Sequence, residues 1–347
     1  MGLISLEEQA REICLSNRSF IPTTIGLKTW RERLRFDQKT PAQDQSVKIV
    51  KERVEIDEER SFDEYLYFPK DQAENLRVIY YIHGGQFISG GVNEYHKLLA
   101  ELSRRCHACI VFPEYALAPE RKAPAQMVQL RAGYLDLQRL AIKYSLDLSH
   151  LTVAGDDVGG GMAATLAMLS EARHLPLKKL LLFYPVVNAN FDNPTYYEFA
   201  GGYRITREQM KWAWQQYLGE LSPTDVMYSP LLRKFSELAV LPKTLILTAE
   251  ADVLRNEGEA FGRKLRDADV DVSVARILGT IHDFVLLNVL DETNACRLAM
   301  DMAVEFIGRD SGVWFCIRII FLTLTELCTT HTEEWYQHLF WPLKIKA

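Results

Sequence analysis

Short apolar runs and amphipathic stretches alternate along most of this chain, and their periods fall into two kinds. Val47 to Ile56 and Phe62 to Phe68 alternate polar and apolar positions and are rich in β-branched and aromatic residues, the pattern of two antiparallel strands. Arg77 to Ile82 is a continuous apolar run, as a strand buried on both faces requires. From there the pattern predicts helix Glu94 to Arg105, strand Ala108 to Phe112, helix Pro124 to Tyr144, strand Leu151 to Ala154, helix Val158 to Arg173 and strand Lys179 to Tyr184. Strand Thr244 to Ala249, helix Glu257 to Ala268, strand Val270 to Ile277 and a helix near Asp291 to Phe306 complete the series. Repetition of strand, helix and strand predicts an α/β fold, a mostly parallel eight-stranded sheet flanked by helices on both sides.

Between Asn188 and Phe235 this alternation stops. Aromatic-rich turns and one helix replace it, the helix opened by Thr206 and Gln209 as a capping box ahead of Met210-Lys211-Trp212-Ala213-Trp214. An insertion between sheet strands, where strand C-termini open, is placed to cover a site. The chain therefore divides into N-terminal cap helices over 1–45, a core over 46–187 and 236–309, a helical cap insertion over 188–235, and an atypical tail over 310–347. Ser5 and Glu8 fit a capping box that starts the first helix. In the tail, Val313 to Leu322 is strongly apolar but too short, and too interrupted by Arg318 and Glu326, to span a bilayer. We read it as an extension, loosely packed or disordered, of the sort a gene-model or read-through product leaves; a monotopic anchor is the alternative. A chain ending near Arg309 is expected to fold.

Composition narrows the function classes. Of 347 residues, 48% are hydrophobic and 25% charged, ordinary for a globular enzyme. The net charge of −6 comes with scattered basic residues, which excludes a nucleic-acid partner. The N-terminus lacks a basic segment followed by an apolar core, so no secretory signal is read there. Six cysteines without framework spacing suit a reducing compartment, and the location expected is intracellular, in the cytoplasm. Cys106-His107-Ala108-Cys109 falls where a helix ends and a strand begins, which favours two buried structural thiols over redox or metal chemistry. No metal and no cofactor are expected.

Four segments carry the candidate chemistry. Tyr81-Ile82-His83-Gly84-Gly85-Gln86-Phe87 follows the buried strand, and its glycines let backbone N–H groups approach a reacting oxygen. Glu114-Tyr115-Ala116-Leu117-Ala118-Pro119-Glu120 follows the next parallel strand. Gly155-Asp156-Asp157-Val158-Gly159-Gly160 joins strand Leu151 to Ala154 to an alanine-rich helix and reads as a nucleophile elbow with Asp157 in the middle. Asp252 to Gly258 and then His282-Asp283-Phe284 supply an acid and a histidine. His83 is read as shaping its turn, while His96, His107, His150 and His174 lie outside the motifs. Asp283 and Glu250, beside site residues, are expected to be solvated.

Taken together and in this order, over roughly residues 45 to 308, the four segments resemble the hormone-sensitive-lipase-like branch of the α/β-hydrolases, which includes bacterial esterases, plant carboxylesterases and fungal biosynthetic hydrolases. The resemblance implies an α/β-hydrolase fold with a helical cap, an acid at Asp252, a general base at His282, and oxyanion donors at the N–H groups of Gly84, Gly85 and Val158. It also implies that a serine nucleophile belongs where Asp157 stands, with Asp156 matching the usual aspartate of that motif. Gln86 replaces a third glycine, and Glu114-Tyr115-Ala116 replaces a usual Asp-Tyr-Arg. The expected partner is a small hydrophobic organic substrate, of the kind met in fungal secondary-metabolite or toxin biosynthesis, contacted by Gln86, Phe87, Tyr196, Tyr203 and Trp212. A homodimer is allowed, and no membrane association is expected.

Asp157 changes the chemistry that the motif carries. The helix N-terminus, neighbouring N–H donors and His282 are all expected to favour its carboxylate. A carboxylate attacking an ester would form an anhydride more reactive than the ester, so ordinary acyl-enzyme chemistry is disfavoured. Three readings stand: a hydrolase using Asp157 as nucleophile or as base to a water, a non-hydrolytic biosynthetic enzyme transferring protons in an elimination, cyclisation or isomerisation, and a catalytically silent binding protein. Under the first, attack falls on an sp³ carbon, and Tyr196, Tyr197 or Tyr203 are candidate proton donors.

Overall fold

The computed structural model describes residues 4–16, 22–38, 46–71, 75–169 and 174–309. The tail over 310–347 lies outside the described residues, and the helix expected to run to Arg173 ends earlier, at Met168, where Leu169 turns to extended backbone. The elements in chain order are α1 (Glu8–Ser16), α2 (Pro22–Asp37), β1 (Val47–Glu55), β2 (Ser61–Pro69), β3 (Leu76–Ile82), α3 (Val92–Cys106), β4 (Ala108–Glu114), α4 (Ala125–Tyr144), β5 (Leu146–Asp156), α5 (Asp157–Met168) and β6 (Lys179–Phe183). They continue with α6 (Pro194–Glu198), α7 (Arg207–Leu218), α8 (Phe235–Leu238), β7 (Lys243–Ala251), α9 (Arg255–Asp267), β8 (Val272–Ile281) and α10 (Asn294–Gly308).

The eight strands form one sheet in the order β1-β2-β4-β3-β5-β6-β7-β8. β2 runs antiparallel to both β1 and β4, and every other pairing is parallel. The two periods in the sequence have their cause here. β1 sits at the sheet edge with half its side chains in solvent, whereas Val78 to Ile82 of β3 are fully buried between neighbours and helices. Helices α3, α4, α5 and α9 pack on the strands they follow or precede. No helix among the described residues is long and apolar enough to cross a membrane.

Three local expectations are corrected. α1 begins at Glu8 rather than after Ser5; Glu7 anchors it instead, donating its N–H to the Gly279 carbonyl at 2.8 Å. The tertiary anchor outcompetes the local capping box. The insertion holds a second α-helix ahead of the expected one, because Asn193 caps α6 with Pro194 at its first position, a start signal too short to show as periodicity. β5 reaches back to Leu146, pairing there with Leu76 across a register shift. The capping box of Thr206 and Gln209 opens α7 as expected, with both reciprocal bonds made. Cys106 and Cys109 are buried free thiols, and burial pushes the Cys106 thiol up to about 12.

Candidate active site

The chain turns from β5 into α5 within one residue, and Asp157 adopts φ 49° to make the turn. That left-handed conformation is costly for a side chain other than glycine and lifts the carboxyl out of the turn. Close packing holds it there. A Cβ on Gly159 would stand 2.2 Å from the Ile82 carbonyl oxygen, so only glycine lets α5 begin directly against the end of β3. Gly85, at φ 90°, is needed for a similar reason in the facing loop, where a Cβ would meet the Ser89 carbonyl oxygen at 2.1 Å.

The facing loop aims its backbone at Asp157. The N–H groups of Gly85 and Gln86 donate to Asp157 Oδ2 at 3.0 and 2.7 Å. Gly84 does not take part: its N–H is held by the Tyr95 hydroxyl at 2.9 Å and by Asp156 Oδ1 at 3.1 Å. The donor pair is therefore Gly85 and Gln86 rather than Gly84 and Gly85, and the carboxylate of Asp157 itself occupies it. Val158, second residue of α5, belongs to the helix turn whose N–H groups have no partner within the helix. The other carboxylate oxygen, Oδ1, is buried without a hydrogen bond.

His282 stands across from that oxygen, its Nε2 3.8 Å from Asp157 Oδ1, while its Nδ1 meets Asp252 Oδ2 at 2.8 Å. Asp252 is fixed in turn by the Leu254 N–H at 3.0 Å. Thus three residues far apart in sequence meet at the C-terminal ends of β5, β7 and β8. His282 Nε2 has a third carboxylate neighbour, Asp283 Oδ1 at 3.4 Å. Asp283 is not solvated as its flanking position suggested. It is buried and ion-paired with Arg204, whose Nε lies 3.0 Å from Asp283 Oδ2 and whose other end binds Asp37.

Burial and charge set the protonation of this cluster. Burial disfavours the His282 imidazolium, but Asp252, Asp283 and Asp157 outweigh it and raise the group to about 10. Asp157 is pushed up to about 7, chiefly by burial and also by Asp283 and Asp252, against the pull of His282 and the Gln86 N–H. The sequence-based expectation counted only the groups that favour the carboxylate and left out desolvation. Asp156 rises to about 8 through burial, opposed by its Tyr95 hydrogen bond and reinforced by Asp157 and Asp283. It serves as a tie, accepting from the Tyr81 and Tyr95 hydroxyls at 3.0 and 2.7 Å. His83 bonds the Gly84 carbonyl at 2.8 Å and stacks on Tyr115, and burial lowers it to about 4, in keeping with a turn-shaping role.

A cavity of about 40 Å³ opens beside Asp157. Trp30, Arg33 and Leu34 of α2 line it, with Arg204 and Gln209 before and within α7, and Gln86 and Asp283 from the core. Of the expected substrate contacts only Gln86 lines this space. Phe87 stacks flat on Tyr217 at 3.8 Å, Tyr196 packs edge-on to Phe191 at 5.6 Å, Tyr203 packs edge-on to Phe199 at 5.0 Å, and Trp212 backs Trp30 at 5.5 Å. Phe87 and Tyr196 are buried against these neighbours, whereas Tyr203 and Trp212 are half-buried. Arg204 carried no sequence signal, since its partners Asp37 and Asp283 lie on distant segments. Asp283 had one: a carboxylate next to the histidine at a strand end.

Comparison with known proteins bears on the fold that carries these residues. A family described as alpha/beta hydrolase fold matches residues 79–286. The chain is 34% identical to the vegetative-specific protein H5 of Dictyostelium discoideum over 262 residues, 72% of this chain and 77% of that protein. It is 30% identical to an esterase of Gibberella moniliformis over 232 residues, covering 66% and 73% of the two chains. The crystal structure of a thermostable esterase from Pseudomonas putida superposes with a TM-score of 0.84 at 30% identity, over 89% of this chain and 98% of that one. By matched sequence, by sheet order and by the elbow at the end of β5, this chain belongs to the α/β-hydrolase fold family.

Proposed function

We propose that this esterase-like hydrolase uses Asp157 where related esterases use serine, and that Asp157 attacks an sp³ carbon of a small organic substrate. The observation that carries this reading is the division of labour between the two oxygens of Asp157. Oδ2 is held by two backbone N–H groups, whereas Oδ1 is unpartnered and faces His282. Attack by Oδ1 gives an alkyl ester on Asp157. Its carbonyl oxygen is then Oδ2, already seated between the donors that stabilise the oxyanion formed when water adds to Cγ. His282, oriented by Asp252, activates that water.

The same arrangement disfavours ester substrates. An incoming ester carbonyl finds both donors occupied, and attack on it would form an anhydride. Residues 1–45 and 188–235 act as the cap in this reading, because α2 and the segment around α7 close the cavity above Asp157. At about 40 Å³, on a scale where one water needs roughly 10–15 Å³, the cavity admits a small reacting group while the rest of the substrate lies toward α2. Small oxidised organic molecules, the products of secondary metabolism, meet this description.

The test is isotopic. Turnover of butene oxide in ¹⁸O-labelled water places ¹⁸O in the peptide containing Asp157, since the hydrolytic oxygen enters at Cγ. Turnover that leaves Asp157 unlabelled would refute the covalent role.

A further inference from the structure

Among the described residues three glutamines are buried, Gln86, Gln126 and Gln209. Gln126 donates to the Ala116 and Arg121 carbonyls at 2.9 and 2.6 Å, and Gln209 caps α7. Gln86 is different. Its backbone N–H is engaged by Asp157, but its carboxamide has no hydrogen-bond partner among the described residues, although only 7% of the residue is exposed. It lines the cavity beside Asp157. The residue also sits at φ 56°, a left-handed conformation in which glycine would be unstrained. A buried polar group is as a rule hydrogen-bonded, so a carboxamide kept here without a partner points to one that arrives with the ligand.

Arg33, half-buried on α2, lines the same cavity. Burial brings its guanidinium down to about 10, the like charge of Arg204 adds to this, and Asp37 and Asp283 only partly oppose it. Both of those carboxylates are already paired with Arg204. A guanidinium carries five donors, enough to hold a protein group and a ligand together. We propose that Arg33 and the Gln86 carboxamide hold the carboxylate of a small organic acid, so that the molecule presented to Asp157 is an acid rather than a neutral compound. In naming a substrate class, this rests on the Asp157 site proposed above.

The chemistry of the two groups selects the ligand. Each offers N–H donors, and a carboxylate is a small group that accepts from both, with the charge-assisted geometry a guanidinium favours. A neutral amide or alcohol would satisfy Gln86 but leave the Arg33 charge unanswered. Size agrees, since about 40 Å³ at roughly 10–15 Å³ per water holds about three water-sized groups, a carboxylate and the carbon beside it. Asp157 and Asp283 repel an anion at the core end of the cavity, so the acid group lies toward α2 and the adjoining carbon toward Asp157. Leu34 and Ile205 give that carbon an apolar wall.

Calorimetric titration at neutral pH with cyclopropanecarboxylate and with cyclopropanecarboxamide, whose ring gives Asp157 nothing to open, tests the subsite without turnover. The wild-type protein is expected to bind the acid at least about tenfold more tightly than the amide, the order of one charge-assisted hydrogen bond. Arg33→Gln should abolish that preference and Arg33→Lys retain part of it, while Gln86→Gly, which keeps the backbone N–H, should weaken the acid several-fold. A cooperative melt is the folding control, and if Arg33→Gln does not fold, the wild-type comparison and Gln86→Gly decide the matter. Equal binding of acid and amide, or binding of neither, overturns the proposal. So does a preference for the acid that survives in folded Arg33→Gln, or a Gln86→Gly variant that binds the acid as tightly as wild type. Preference for the acid in a protein whose Asp157 stays unlabelled by ¹⁸O keeps this subsite and removes only the nucleophile, and a labelled Asp157 without the preference does the reverse.

Discussion

Replacing Asp157 with serine should turn the site into an esterase. The carboxylate occupies the two backbone donors that the proposed reading assigns to an oxyanion, with Gly85 and Gln86 N–H groups at 3.0 and 2.7 Å from Oδ2. The shorter serine side chain reaches neither donor in this way and leaves both free for a substrate carbonyl. Removing one such donor from an esterase costs about 10²–10³ in kcat, so freeing two and supplying a hydroxyl should raise ester turnover by at least about 10² over wild type. Asp157→Ala frees the same donors without a nucleophile and should stay near background. His282 keeps Asp252 and Asp283 beside it in the serine variant, so its imidazolium persists and the new activity should climb from neutral toward alkaline pH. Hydrolysis of p-nitrophenyl acetate across that range is the assay, with a cooperative melt as the folding control. A folded serine variant no faster than Asp157→Ala, or a wild type that matches it, would refute the reasoning.

Three further outcomes follow from the same geometry. Arg204→Ala removes the cation that buried Asp283 and half-buried Asp37 share, and should cost about 3–5 kcal/mol; an unchanged Tm on thermal melting would show the ion pairs to be idle. Gly159→Ala sets a Cβ 2.2 Å from the Ile82 oxygen and 2.4 Å from the His83 oxygen, both backbone, and should lower stability by more than about 4 kcal/mol. Recovery of that variant with a wild-type melt would contradict the elbow geometry. Glu64 is fully buried, and burial, with Asp136 adding to it, raises the carboxyl to about 8. Its folded form binds a proton more tightly than the unfolded one, so its contribution is present below the unfolded value and lost as pH rises through about 8. Glu64→Gln should therefore gain on wild type between mildly acidic and alkaline pH, and parallel melting curves at the two extremes would exclude this.

Much of the architecture was legible because it rests on local physics. Period-two alternation in β1 and β2, against unbroken apolar runs in β3 and β6, follows from one covered face or two. The elbow and the glycine loop were legible because close backbone approach admits no side chain, which restricts those positions to glycine. Element ends were less so: α1 starts where Glu7 meets Gly279, a partner some 270 residues away that no window of sequence contains.

The sequence by itself determined the α/β order of elements, the elbow aspartate and the pairing of an acid with a histidine after it. It marked Asp157, Asp252 and His282 as candidate site residues from motif order and family resemblance, and the fold brings the three side chains together. The tertiary structure decided how those groups are charged and which way they face. Gly84 is drawn off by Tyr95 and Asp156 and Gln86 takes its place as donor, while Asp283 becomes a third carboxylate on His282 because Arg204 and Asp37 bury it. Desolvation and the distances between segments far apart in the chain set these outcomes. Both exist only once the chain has folded, so the order of residues could name the candidate groups but not their protonation.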